Sequence, residues 1–199
     1  MEPIFNRAGV ARSLSALQSG LQTAVGAGCC ERMLPNFRAF VCETKWGDVS
    51  PLRLALDYAW DVGGGRDADS GILRQLLERC EACVPVSDEF RSEIVSYAQD
   101  AALAVCGLID FLLAGEVDAL VGVLSYSIDS VDCFVQELEG MSPQDRDLER
   151  KILRHPLMQQ ELLRQRRDLD DALAASGVVR EFVQKVRSRA QSESNLALE

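Results

Sequence analysis

The sequence predicts an all-α protein, a single compact multi-helix bundle of about eight helices around a central antiparallel helix pair. Three observations carry that reading. Ala and Leu dominate while aromatic residues make up only 6% of the chain, and runs of Val, Ile and Thr are scarce. Apolar residues recur every three or four positions. Gly and Pro punctuate the chain at helix-sized intervals. At 199 residues with 47% hydrophobic content, residues 1–199 suffice for one domain with its own core, without metals or disulfides as staples.

The elements follow in order. Leu14, Leu17, Leu21, Val25 and Gly28 share one face of a helix over residues 14–33. Pro35 offers no N–H and its ring opposes the carbonyl of Glu31, so a kink or break is expected there, with a short second helix over 36–45. Asp48 or Ser50 caps the next helix and Pro51 suits its first turn. Its buried face is Leu52, Leu56, Ala59 and Trp60, and it ends in the glycine-rich loop 61–71. Leu73, Leu76, Leu77 and Cys80 mark a helix that stops before Pro85.

Residues 89–114 begin at a Ser87 or Asp88 cap and are apolar almost all round, the pattern of a central helix. Only Gly115 and a residue or so separate them from 116–139, so the two pack antiparallel. In the second, Val117, Val121, Leu124, Ile128, Val131, Phe134 or Val135, and Leu138 form a heptad-like stripe. Ser142 caps a charged helix over 143–175, Gly177 interrupts, and 178–190 form the last helix. Residues 192–199 are expected to be a flexible tail.

The net charge is −10, which disfavours general nucleic-acid binding, because that needs basic surface to displace counterions. The charge is uneven: residues 1–141 carry 10 basic and 21 acidic side chains, residues 142–191 carry 11 basic and 8 acidic. A basic C-terminal third on an acidic body suits docking on itself or on a second copy. The seven cysteines follow no secretory h-region, and the longest apolar run, AALAVCGLI, is shorter than the roughly 20 residues a membrane helix needs. A cytoplasmic protein with reduced thiols and no membrane association is the expectation.

Several chemistries lack their residues. His155 is the single histidine, so neither a pair of Glu-x-x-His motifs nor His-Glu-x-x-His exists. Cys80 and Cys83 have redox spacing but lie at a helix C-terminus, where the dipole does not lower a thiol pKa. Cys106 and Cys133 lie on apolar faces and are assigned to the core. Carboxylate pairs at Asp57/Asp61, Glu78/Glu81 and Asp129/Asp132 each share a helix face. Glu78 and Glu81 supply half of what a Mg²⁺-nucleotide site on facing helices requires, and the second half is not evident.

The densest stretch is GCCERMLPNFRAF, residues 28–40. Carbonyls near a proline lose their N–H partners, and Arg32 and Asn36 are suited to satisfy such groups. Glu31, Arg32 and Asn36 are therefore either a buried polar clamp on the bend or the lining of a small-molecule pocket in which Arg32 meets an anion. Cys29 and Cys30 fit as small buried residues beside them.

CCERMLPNFRAF followed by TKWGD resembles the Cys-Glu-Arg-Met-x-Pro-Asn-aromatic signature of the YjaG-like bacterial proteins, a family of unknown function. CVPVSDEF is similar to that family's Ile-Pro-Ser-x-Asp-Asp-Phe segment, HPLMQQELLRQ to its Asn-Pro-x-x-x-x-Glu region, and SESNLAL to its Glu-Ser-Asn-Ile tail. The resemblance implies a compact all-helical cytoplasmic protein and brings no catalytic residues with it.

The functional expectation is a non-enzymatic binding or interaction protein without a cofactor, acting as a homodimer. The alternatives are a Mg²⁺-dependent nucleotide hydrolase using Glu78 and Glu81, and a small-molecule-binding module at Arg32.

Overall fold

A computed structural model describes residues 6–175, 177–196 and 198. Among them are nine α-helices: α1 (Arg7–Ser15), α2 (Ser19–Thr44), α3 (Ser50–Gly63), α4 (Ser70–Glu81), α5 (Val95–Ala114), α6 (Val117–Leu138), α7 (Leu148–Arg154), α8 (Pro156–Ala174) and α9 (Val179–Ala190). A 3-10 turn, Ser87–Glu89, precedes α5, and no strand occurs among the described residues. The all-α bundle expected from the sequence is what the chain forms.

The predicted pair is present. Gly115 takes φ +74°, a left-handed turn that favours glycine, and α6 folds back along α5. The stripe Val121, Leu124, Ile128, Val131 and Val135 is buried, while Leu138 at the end of it is exposed. By length and hydropathy α5 alone among the described helices meets the criteria for a membrane span, and more than half of that window is buried inside the protein, against α2, α4 and α6.

The helix with the most complete enclosure is α2. Every residue from Leu21 to Leu34 is buried, with α3, α5, α6, α8 and α9 packed around it. Small residues admit those neighbours: a Cβ on Gly26 would lie 2.6 Å from Leu120 Cδ2, and one on Gly28 would lie 2.8 Å from Val186 Cγ1.

The expected break at Pro35 does not occur, because α2 runs through it to Thr44. Proline inside a helix costs about 3 kcal/mol. Met33, Leu34, Phe37 and Phe40 around it are all buried, and each such side chain contributes roughly 1.5–3 kcal/mol on burial. Tertiary packing outweighs the local penalty.

Three further differences turn eight expected helices into nine. Residues 7–15 form a helix of their own, started by the Asn6 side chain accepting from the Gly9 N–H at 3.0 Å. The two helices expected on either side of Pro35 are one. The span 143–175 is two helices, because Pro156 cannot continue α7, and His155 caps α8 by accepting the Leu157 N–H at its Nδ1. α5 starts at Val95, later than the Ser87 or Asp88 cap implied, since those residues turn in 3-10 form.

Two residues of the span 192–199, expected to be a flexible tail, are packed into the protein. Asn195 and Leu196 are each 3% exposed, and Leu196 joins a second, smaller core with Tyr97, Ile128, Ile152 and Met158. Ala197 and Glu199 lie outside the described residues.

Candidate functional site: the Glu31–Arg32 doublet and its surroundings

Adjacent helical residues point about 100° apart, and Glu31 and Arg32 use that divergence. Glu31, facing α3, accepts two hydrogen bonds from the Arg53 guanidinium, at 2.5 and 3.0 Å, and one from Trp60 Nε1 at 3.0 Å. Arg53 also pairs with Asp57 at 3.1 Å, and Asp57 accepts from Arg187 of α9 at 2.5 Å.

Arg32 faces α8. Its Nη1 donates to Asp168 Oδ2 at 2.8 Å, with both side chains 1% exposed. The other oxygen of Asp168 accepts from Arg189 of α9, which also donates to Asp171 at 2.9 Å. Two relays thus leave neighbouring residues of α2 and both end on α9. Burial works against a charge on Arg32, but the carboxylates of Glu161 and Asp168 outweigh it and hold the guanidinium protonated.

Asn36 lies one turn beyond Arg32 on the same face. Its Nδ2 donates to Asn195 Oδ1 at 3.0 Å, and Asn195 Nδ2 lies 3.4 Å from Ser127 Oγ. Ser127 donates to Glu161 Oε1 at 2.8 Å, and Gln165 donates to the same oxygen at 3.0 Å. The Asn195 backbone N–H donates to the carbonyl of Arg32 at 3.0 Å. Pro35 removes the N–H partner of the Glu31 carbonyl, and the Arg32 carbonyl is the next one along the helix. The carbonyl is satisfied by the C-terminal segment rather than by the side chains of Arg32 or Asn36.

Four atoms of this cluster are buried and have no hydrogen-bond partner among the described residues: Arg32 Nε and Nη2, Asn36 Oδ1 and Glu161 Oε2. An unmet buried polar atom costs about 1–3 kcal/mol, so four together mark the place where the core is least self-sufficient. Glu31, by contrast, has both oxygens occupied by Arg53 and Trp60.

Arg32 and Asn36 share one cluster with Ser127, Glu161, Gln165, Asp168 and Asn195, which residue patterns alone had not singled out, while Glu31 is turned away to α3. The signal for two of these lay in the family-like segments: Glu161 ends HPLMQQE and Asn195 stands in SESNLAL. The remaining motifs meet nearby. Trp46 of TKWGD and Phe90 of CVPVSDEF have ring centroids 5.1 Å apart, and each packs edge-on against Phe40.

Glu78 and Glu81 are both exposed on α4. Among the described residues no group of three or more His, Cys, Asp or Glu is placed to hold a metal ion. Cys80 and Cys83 are buried free thiols, as are Cys29, Cys30 and Cys106. Burial pushes Cys29, Cys80 and Cys106 up to about 12. Cys133, expected in the core, is exposed instead, because its position on α6 falls outside the buried stripe. The basic C-terminal third finds acids within the chain, through Arg187–Asp57 and Arg189–Asp168.

The profile of the "Protein of unknown function (DUF416)" family matches residues 9–199, and the chain belongs to that family. It is 32% identical over 149 residues to the uncharacterized protein YjaG of Escherichia coli (strain K12), covering 74% of each chain. The uncharacterized protein YjaG of Salmonella typhimurium (strain LT2) is 31% identical over 136 residues, 68% of this chain and 69% of that one. A crystal structure of a DUF416 family protein from Shewanella baltica OS155 superposes with a TM-score of 0.85 at 22% identity, covering 95% of this chain and 97% of that one. It shares the fold.

Proposed function

We propose that the protein is a non-enzymatic binding protein whose ligand is a small zwitterion held at Arg32 and Asn36, beneath the segment that carries Asn195. The observation that supports this is the set of unmet buried atoms. Arg32 offers Nε and Nη2, the edge of a guanidinium that forks onto a carboxylate. Glu161 Oε2 and Asn36 Oδ1 are acceptors suited to an ammonium group. Glu31, engaged by Arg53 and Trp60, acts as the structural half of the doublet. Asn195 closes the cluster from outside, so entry requires its release from Arg32, Asn36 and Ser127.

Thermal unfolding with glycine, acetate and methylamine tests this. A ligand of the native state raises the melting temperature by mass action. Glycine is expected to raise it in a concentration-dependent way, and acetate and methylamine less. The reading fails if glycine and larger amino acids leave the transition unmoved. The expected homodimer is a separate proposal, supported by the opposite charge balance of the body and the C-terminal third. Light scattering at two salt concentrations tests it, and a salt-independent monomer at micromolar concentration overturns it.

A further inference from the structure

A second feature is independent of the Arg32 cluster. Between the C-terminal end of α3 and the outer face of α9 lies an open cleft of about 510 Å³, within the range of small-molecule sites. Its polar walls are the guanidinium groups of Arg66, Arg180 and Arg187, with Asp61 and Gln184 beside them. On a chain of net charge −10, three arginines around one cleft stand out.

The acids do not balance them. Arg66 pairs with Asp61 at 3.2 Å, and Arg187 with Asp57 at 2.5 Å. Arg180 rests on a neutral group, donating from Nε to the Gly64 carbonyl at 3.1 Å. One positive charge is therefore left over in the cleft. The Arg66–Asp61 pair is about half exposed on both sides, and such pairs are worth little, so Arg66 can exchange its aspartate for a stronger anion. Arg187 is held in place by Asp57 and lies 5.9 Å over the Trp60 ring. The loop approaches closely: Gly65 takes φ +104°, and a Cβ there would lie 4.0 Å from both Nε and Nη2 of Arg180. Planar guanidinium forks set around an open cleft suit a tetrahedral oxyanion with several acceptor oxygens.

We infer that the α3–α9 cleft is a binding site for a phosphate-bearing small molecule, gripped by Arg66, Arg180 and Arg187. Three guanidinium forks suit the larger set of acceptor oxygens of a diphosphate better than those of a monophosphate.

Calorimetric titration of the full chain with inorganic pyrophosphate at low ionic strength, with orthophosphate and sulfate alongside, tests the site. Pyrophosphate is expected to bind the wild-type protein more tightly than either competitor. Binding should weaken at least tenfold in Arg66→Ala/Arg180→Ala, two exposed positions whose change leaves the core intact, as the unfolding transition will report. Arg180→Lys should retain part of the affinity. Arg91→Ala, an exposed arginine elsewhere, should bind like wild type. The inference is overturned if pyrophosphate does not bind, if the double variant binds as wild type does, or if Arg91→Ala lowers affinity equally, which would mean general charge attraction.

Discussion

Glu31 and Arg32 are neighbours in the chain and partners to different helices: the carboxylate holds Arg53 and Trp60 of α3, the guanidinium holds Asp168 of α8. Opposite charges side by side do not pair with each other here. Each is neutralised from its own side, which lets α2 carry both through the core.

The Arg32–Asp168 pair is almost wholly out of water. Breaking a buried pair by removing one member costs about 3–5 kcal/mol, and because Asp168 keeps Arg189 the loss of Arg32 falls at the low end. Arg32→Met is expected to lose stability in that range by urea denaturation, and Asp168→Asn somewhat less, because the amide still accepts from Arg32. Losses under 1 kcal/mol for Arg32→Met would mean that the pair contributes no net stabilisation.

Gly28 faces α9. A methyl group there meets Val186 Cγ1 at 2.8 Å, beside the Arg32 and Asp168 side chains. Gly28→Ala is expected to destabilise by about 1–3 kcal/mol through overpacking. Pairing it with Val186→Ala should recover part of the loss, and a double variant no better than the single would rule out this contact as the cause.

Asp100 is pushed up to about 6 by burial, with the Ser130 hydrogen bond opposing and the charge of Asp129 adding to the rise. In the unfolded chain the group titrates at about 3.9. Between those values the native state binds more protons than the unfolded one, so this group makes stability fall as pH rises from about 4 to 6 and contributes a constant deficit above. Asp100→Asn removes the deficit and should stabilise the protein by about 1–2 kcal/mol at pH 7, with allowance for partial solvent access. Urea titrations across that pH window measure both the gain and the flattened slope. A variant less stable than wild type at pH 7 would contradict the assignment.

The thiols divide by accessibility. Cys42 and Cys133 are exposed, whereas Cys29, Cys30, Cys80, Cys83 and Cys106 are buried. Brief alkylation of the native protein, followed by peptide mass analysis, should label the first two and leave the rest until denaturant is added. Prompt labelling of Cys29 or Cys30 would show that the α2 core opens on that timescale.

Asn195 joins Asn36, Ser127 and the Arg32 carbonyl. Asn195→Ala keeps the backbone bond and removes the side-chain ones, for an expected loss of about 1–3 kcal/mol. Retention of full stability would assign the closure to the backbone and Leu196 alone.

What the sequence shows and what it hides divide along physical lines. The α5–α6 pair and the buried cysteines Cys29, Cys30, Cys80, Cys83 and Cys106 are local or periodic properties, and pattern reveals them. Pro35 is different. Its local rule predicts a break, and only the packing of Met33, Leu34, Phe37 and Phe40 reverses the outcome. The same holds for Arg32: its residue type and setting mark it as special, but its partners Asp168 and Glu161 lie far along the chain and no spacing connects them. The SESN segment looks like a polar end with nothing to bury, yet Asn195 in it is buried through bonds to Asn36 and the Arg32 carbonyl, partners far along the chain that no spacing connects.

The uninterrupted passage of α2 through Pro35 has a mechanical meaning. A helix of 26 residues is a rod about 39 Å long. Arg32, Asn36 and Phe40 stand on it at successive turns, and Phe40 makes the edge contacts to Trp46 and Phe90, which lie outside α2. Because the helix continues through Pro35, a shift at its aromatic end is passed along one backbone to Arg32, and from there to the segment bearing Asn195, which is bonded to the Arg32 carbonyl.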